Sequence, residues 1–266
     1  MNSNATVRFI QISDIHLYAD PNRSLLGVNT RESFQAVVAR IEQETRPFDF
    51  IFLSGDLTQD GSINAYQQVA ELLERFHVPI YYIPGNHDHI PSMLNVYPYK
   101  NISNQKHIIL KHWHLVLLNS QKTGCVEGYL DRTQLDFLQQ CLAAYPEHHA
   151  LVAMHHHPVK VGCDWLDKIG VENADNFWQI MRNYPRAKTV LYGHVHQENF
   201  QPKQDVNCLS TPSTCIQFKR QQHHFGLEKL APGYRFIELR ADGSLETDVC
   251  RVAEYVGVYD EEAKGY

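Results

Sequence analysis

Four consecutive residues, Gly85-Asn86-His87-Asp88, make little sense as core, yet they follow directly on the apolar run Tyr81-Tyr82-Ile83-Pro84. Glycine allows a sharp turn. Asparagine offers a neutral amide oxygen. Histidine can bind a metal or move a proton, and aspartate can orient it or hold the turn. Similar groups recur along the chain at Asp14-Ile15-His16, Gly55-Asp56, His155-His156-His157 and Gly193-His194-Val195-His196. Each alone has a bland reading. Asp14-x-His16 is equally a polar turn with an incidental histidine, and three consecutive histidines could simply face solvent. Together they supply carboxylate, imidazole and amide oxygen without thiolate, a set suited to Mn, Fe or Zn. They outnumber the ligands that one ion needs. Two ions roughly 3.5 Å apart, sharing one carboxylate, can clamp a phosphate and make hydroxide available at neutral pH.

Each of these groups sits where a strand is expected to end. Val7–Ser13 is apolar on alternate residues and leads into Asp14. Side chains two apart in an extended chain share a side, which would bring Asp14 and His16 together. Phe48–Ser54 is almost continuously apolar, as expected when both faces are covered, and it ends in Gly55-Asp56. Ala150–Met154 ends at His155, and Thr189–Tyr192 ends at Gly193. Between them the apolar spacing predicts helices. One runs from Arg31 to about Thr45, capped by Thr30, with Phe34, Val37, Val38 and Ile41 inward. Others are expected over Asn64–Phe76, Asp131–Leu142 and near Asn176–Met181. His107–Lys111 and Trp113–Asn119 read as an antiparallel pair turning near His112. Alternating strands and helices indicate an α/β fold, in which ligands gather at the carboxyl ends of the strands. Val206–Ser210, Phe225–Leu227, Tyr234–Leu239 and Leu245–Val252 read as an antiparallel sheet added to that core. Residues 1–252 are expected to form one domain. Residues 253–266, with Asp260, Glu261 and Glu262, read as a mobile acidic tail.

The bulk composition narrows the function classes. The chain has 266 residues, 43% hydrophobic and 20% charged, the range of an ordinary globular protein. A formal charge of -6 and no basic aromatic platform argue against nucleic acid as a partner. A local cationic site could still hold a small phosphate ester. No apolar run approaches the roughly 20 residues of a membrane helix. Met1–Thr6 carries no basic and no apolar leader region, so a signal peptide is not expected. Six cysteines without a C-x-x-C pair read as free thiols in a reducing, cytoplasmic compartment. Oligomeric state is open, a homodimer included.

D-x-H, G-D, G-N-H-D, a histidine after a strand, and G-H-x-H, in that order over residues 14 to 196, resemble the calcineurin-like metallophosphoesterase superfamily. The resemblance implies a four-layer αββα sandwich with a dinuclear centre at the edge of its sheets. It implies Asp14, His16 and His196 on the first metal. Asn86, His155 and His194 would hold the second, with Asp56 bridging. His155 is chosen over His156 because Val152-Ala153-Met154-His155 fits the family's V-x-x-H spacing. His87 resembles the family's histidine beside the phosphate, where it would stabilise developing charge or protonate the leaving oxygen. His16, Asn86, His87 and His196 would then line the substrate, and Asp56 and His87 would carry the catalysis.

Outside those motifs, Leu25–Thr30, Gly162–Asp167, Thr211–Lys219 and Ala231–Arg235 are similar to the bacterial class III 3′,5′-cyclic-AMP phosphodiesterases. The implied reaction is hydrolysis of cyclic AMP to 5′-AMP by a hydroxide bridging two metals, Fe or Mn first and Zn next. The base would rest between loops near 89–99, 163–167 and 211–218, with His89, Tyr97, Trp165 and Phe218 as stacking candidates or as simple packing. Two alternatives stand beside this one. The first is a related phosphodiesterase acting on 2′,3′-cyclic nucleotides, glycerophosphodiesters or nucleotide pyrophosphates. The second is a metal-binding regulator with vestigial catalysis.

Overall fold

The computed structural model describes residues 5–253, 255, 257–260 and 262–265. Glu261 of the acidic stretch and residues 1–4 of the leader reading lie outside them. The chain begins with β1 (Val7–Ile12), a small hairpin of β2 (Ser24–Leu25) and β3 (Val28–Asn29), α1 (Thr30–Glu42) and β4 (Phe50–Leu53). α2 (Ile63–Leu73), β5 (Ile80–Tyr82), α3 (Ile90–Val96) and β6 (Ile102–Ser103) complete the first half. The second half opens with the pair β7 (His107–Leu110) and β8 (Trp113–Leu117), then α4 (Arg132–Ala144), β9 (His149–Ala153), α5 (Ala174–Met181) and β10 (Ala187–Tyr192). Strands finish it: β11 (Asn199–Lys203), β12 (Val206–Ser210), β13 (Gln217–Phe218), β14 (Leu227–Glu228), β15 (Gly233–Leu239) and β16 (Leu245–Arg251).

Two six-stranded sheets result, ordered β16-β15-β1-β4-β5-β6 and β11-β12-β10-β9-β8-β7. In the first, β1, β4, β5 and β6 run parallel. In the second, β8, β9, β10 and β12 do. Period-two side-chain alternation explains the stacking. Phe9, Phe50 and Phe52 enter a core between the sheets, where they meet Trp113, Leu151, Leu191 and Ile237. Their neighbours Ile10, Ile51 and Leu53 point the other way, against Phe34, Val37 and Val38 of α1 and Val69 and Leu73 of α2. On the far side Val116, Val152 and Val190 pack on Leu138 and Leu142 of α4 and Phe177 and Trp178 of α5. Three cores between four layers make the αββα sandwich. No helix among the described residues is long and apolar enough to cross a membrane, and all six cysteines are free.

Three expectations need correction. Asn29, not Thr30, caps α1, accepting the Glu32 N–H at 3.0 Å. The C-terminal strands do not form one sheet of their own: the strand expected at Phe225–Leu227 is β14, which pairs only with β13 in a small antiparallel ribbon. β15 and β16 extend the first sheet antiparallel, whereas β12 (Val206–Ser210) joins the second parallel to β10. Its turn back through β11, which the sequence reading passed over, makes that direction available. The tail is anchored at Tyr259, which is buried and donates its hydroxyl to the Leu230 carbonyl at 2.8 Å. Asp260 donates its N–H to the Leu26 carbonyl at 2.9 Å.

A buried histidine near the amino end of β8, opposite the carboxyl ends, gives the fold a pH dependence. Burial, with help from His107 and His148, pushes His114 down to about 4. An unfolded histidine titrates near 6.5, so below that pH the unfolded chain binds the extra proton. Stability is therefore lost progressively as pH falls from about 6.5 toward 4. Urea unfolding of chelator-treated protein at pH 7.5 and 5.0 should show a smaller loss in His114→Gln than in wild type.

Candidate metal centre

The carboxyl ends of β1, β4, β5, β9 and β10 meet along one edge of the paired sheets. The chain past β1 and the chain past β4 run side by side there. Asp14 donates its N–H to the Gly55 carbonyl at 3.0 Å, and His16 to the Asp56 carbonyl at 3.0 Å. Asp14 and His16 are not extended. With Asp56, His194 and His196 they adopt left-handed backbone, φ between 47° and 66°. Such a conformation costs a non-glycine residue about 1 kcal/mol. Five instances at one edge indicate that the fold holds them there. Gly55 has φ 98°, and a Cβ on it would stand 2.3 Å from His155 Nδ1. Gly85 is needed for closeness instead of turn geometry, since its Cβ would meet Asp56 Oδ1 at 2.1 Å.

The hydrogen bonds fix which nitrogen of each ring faces inward. Nδ1 of His16 lies 2.6 Å from Gln59 Oε1. Nδ1 of His155 lies 2.8 Å from the Ser54 carbonyl, and Nδ1 of His196 lies 2.9 Å from the Ile216 carbonyl. Those oxygens only accept, so each Nδ1 carries a proton and, when the ring is neutral, its Nε2 lone pair points inward. The lone pairs face one another. His16 Nε2 and His196 Nε2 are 3.2 Å apart. His196 Nε2 is 3.4 Å from Asp14 Oδ1, and His155 Nε2 is 3.2 Å from Asp56 Oδ2. Asp56 Oδ2 is also 3.8 Å from His16 Nε2. Asp56 Oδ2, Asn86 Oδ1, His155 Nε2 and His194 Nε2 are buried without a hydrogen-bond partner. Buried acceptors facing acceptors are costly unless a cation sits among them. The donor set therefore fits metal ions.

Electrostatics point the same way. Burial would raise both the Asp14 and Asp56 carboxyls, but the histidines around them outweigh it and hold both below the usual range. Burial pushes the His16 ring down to about 3. At His155 burial is overcome by Asp56 and Asp14, which lift the ring to about 9. The pull that draws a proton to His155 acts equally on a metal ion.

The sequence-derived residues come together in overlapping groups, and Asp56 lies within ligand reach of His16 and His87 on one side and of Asp14 and His155 on the other. Ligand atoms of Asp14, His16 and His196 lie within 4.8 Å of one another, as do those of Asp14, Asp56 and His155. His156 also comes within that reach of His155 and His194. Its two nitrogens are occupied, however, by Ser120 Oγ at 2.8 Å and the Val126 carbonyl at 3.1 Å. His87 stands beside the first group, its ring centroid 5.1 Å from that of His16 and its N–H on Asp56 Oδ1 at 2.9 Å. Asp88 holds the turn. Its carboxylate accepts the N–H groups of Gly85, Leu57 and Thr58 and the Tyr66 hydroxyl.

The stacking candidates fare less well. Tyr97 is core, its hydroxyl on the Tyr66 carbonyl. His89 caps α3 and bonds Ser92. Phe218 lies flat on the His196 ring, 4.2 Å between centroids at 17°, and Trp165 packs edge-on against Phe218 at 4.9 Å. Gln59, Phe218 and the Ser54 and Ile216 carbonyls, which aim the imidazoles, were not singled out from the sequence for that role. Residue type carries no signal for such work.

The calcineurin-like phosphoesterase family model matches residues 7–198. The 3′,5′-cyclic adenosine monophosphate phosphodiesterase CpdA of Escherichia coli strain K12 is 42% identical over 263 residues, covering 98% of this chain and 96% of that protein. The protein of the same name from Haemophilus influenzae is 38% identical over 261 residues, covering 98% and 95%. Among solved structures, a dimetal phosphatase from Danio rerio has a TM-score of 0.63 at 13% identity, over 91% of this chain and 98% of that one. Purple acid phosphatase PPD1 from yellow lupin seeds has a TM-score of 0.66 at 14% identity, over 97% of this chain and 53% of its own. At those identities the two structures speak for the fold alone. With the family match spanning every motif from Asp14 to His196 and the relatives matching along nearly the whole chain, this protein belongs to the calcineurin-like phosphoesterase family.

Proposed function

We propose that the protein hydrolyses 3′,5′-cyclic AMP to 5′-AMP at a dinuclear metal centre. The observation that carries the reading is the set of four buried, partnerless ligand atoms on Asp56, Asn86, His155 and His194, beside the cluster of Asp14, His16 and His196. Asp14, His16 and His196 would hold one ion and Asn86, His155 and His194 the other, with Asp56 shared between them. Two bound ions supply charge neutralisation for the phosphate and a water acidic enough to act as hydroxide near pH 7. Water oxygen adds to phosphorus, the bond from phosphorus to the 3′-oxygen breaks, and that oxygen leaves with a proton.

The chain's own residues orient this chemistry. A ring nitrogen of His87 donates a proton to the departing 3′-oxygen or a hydrogen bond to the phosphoryl oxygens. His16, Asn86 and His196 border the phosphate on the other sides. Asp56 Oδ1 accepts the His87 N–H, so the bridging carboxylate also fixes where His87 stands. The oxygen and nitrogen donors fit Fe or Mn, and Zn as well. Cyclic AMP is favoured over the other diesters because relatives matched end to end carry that activity in their names. Retention of all the motif residues speaks against a vestigial regulator. Free thiols throughout fit a cytoplasmic setting, and residues 5–252 act as one domain.

Protein reconstituted with Mn should hydrolyse cyclic AMP with a higher kcat/KM than 2′,3′-cyclic AMP, a glycerophosphodiester or a nucleotide pyrophosphate. A higher value for any of those would sink the substrate assignment. Asp56→Asn should lose both ions by elemental analysis, and unchanged stoichiometry would rule out the bridge. His155→Ala should lose one ion, whereas His156→Ala should keep two. His87→Ala should keep two ions while kcat for cyclic AMP falls by about 10²-fold; metal loss there would move His87 into the coordination sphere.

A further inference from the structure

The turn that carries Asn86 and His87 belongs to the first sheet, whereas His155 and His194 belong to the second. One side chain spans the gap in front of Asp88. Gln121, in the loop after β8, donates from its amide nitrogen to the Gly85 carbonyl at 2.7 Å and to the Asp88 carbonyl at 2.5 Å. A primary amide has two hydrogens, one for each acceptor. The two carbonyls bracket Asn86 and His87, so the carboxamide closes the open side of the turn. Asp88 holds the same turn from behind.

Gln121 is itself fixed from three directions. Its own N–H bonds Asn119 Oδ1 at 2.9 Å, and the Asn119 N–H bonds Gln134 Oε1 of α4 at 2.8 Å. Next to it, Ser120 bonds His156 through Oγ to ring Nδ1 at 2.8 Å and receives the His156 N–H at 3.2 Å. The other ring nitrogen of His156 reaches the Val126 carbonyl. Gly128 lets the loop close on that ring, since a Cβ there would meet His156 Cγ at 2.4 Å. The second histidine of the triplet thus anchors the loop, and the loop delivers Gln121 to the turn.

We propose that Gln121 is a positioning residue whose carboxamide sets the place of His87 against the phosphate. This rests on the proposed phosphodiesterase reading. Side chains that hold a reacting group are felt in kcat, because small displacements there cost rate more than binding.

The test uses metal-loaded Gln121→Ala and the near-isosteric Gln121→Glu, which turns a carboxylate toward the same two carbonyls. If Gln121→Ala fails to fold, Gln121→Glu is read alone. Both should keep two ions per chain. The kcat for cyclic AMP should fall about 10- to 100-fold with little change in KM. It should fall less for bis(p-nitrophenyl) phosphate, whose leaving group departs without a proton. In a His87→Ala background, Gln121→Ala should lower kcat no further. Amide exchange at His87 and Asp88 should quicken about tenfold or more, with the strands unchanged. Unchanged exchange, faster exchange with unchanged kcat, loss of an ion, or additive losses with His87→Ala would each overturn the assignment. The exchange arm needs no substrate, so a wild type inactive on cyclic AMP would defeat the function reading and still leave the clamp to be judged.

Discussion

Lone pairs aimed at lone pairs are the constraint on which this structure depends. Four imidazoles, two carboxylates and one amide oxygen gather at one edge of the sheets, and hydrogen bonds on the outer side of three of the rings prevent those from turning away. Such a cluster is tolerable only with positive charge among its members. The carbonyls of Ser54 and Ile216 and the amide of Gln59 matter as much as the rings they hold, because they decide which nitrogen faces inward. Burial and metal affinity therefore have one origin. The sheets that exclude water also remove any other way to satisfy these atoms.

The four-layer architecture follows from the need to aim so many side chains at one place. Parallel strands deliver all their carboxyl ends to the same edge. Two such sheets, face to face, double the number of ends available. Phe50 and Phe52 look into the space between the sheets while Ile51 and Leu53 look toward the helices, so each central strand is locked on both faces. Rigid strands make the loop ends stiff. A stiff loop end can keep Asp14 or His196 in a backbone conformation that a free chain avoids.

Much of this was legible in the sequence, for a physical reason. A polar cluster directly after an apolar run has few explanations other than chemistry at a strand end, and five such clusters identify the edge. Strand and helix positions followed from two-residue and helical apolar spacing. Asp14 and His16 converge through left-handed backbone and not by the alternation that their two-residue spacing suggests. Alternation also cannot reveal strand direction, which is why Val206–Ser210 was expected antiparallel and is parallel to β10. Charge suggested a mobile C-terminal tail, but Tyr259, an aromatic among acids, fastens it. The choice between His155 and His156 rests on resemblance; in the structure both ring nitrogens of His156 meet other partners, Ser120 and the Val126 carbonyl.

The left-handed backbone at Asp14, His16, Asp56, His194 and His196 has a consequence for how such a protein can change over generations. At each of these positions the proposed ligand sits in a conformation that glycine adopts more easily. A substitution to glycine therefore relaxes the backbone and removes a buried polar group at once. Conformational relief of this kind makes loss of catalysis the easy direction of drift and its recovery the hard one. A chain that retains all five of these residues in that posture is being held there against its own local preference.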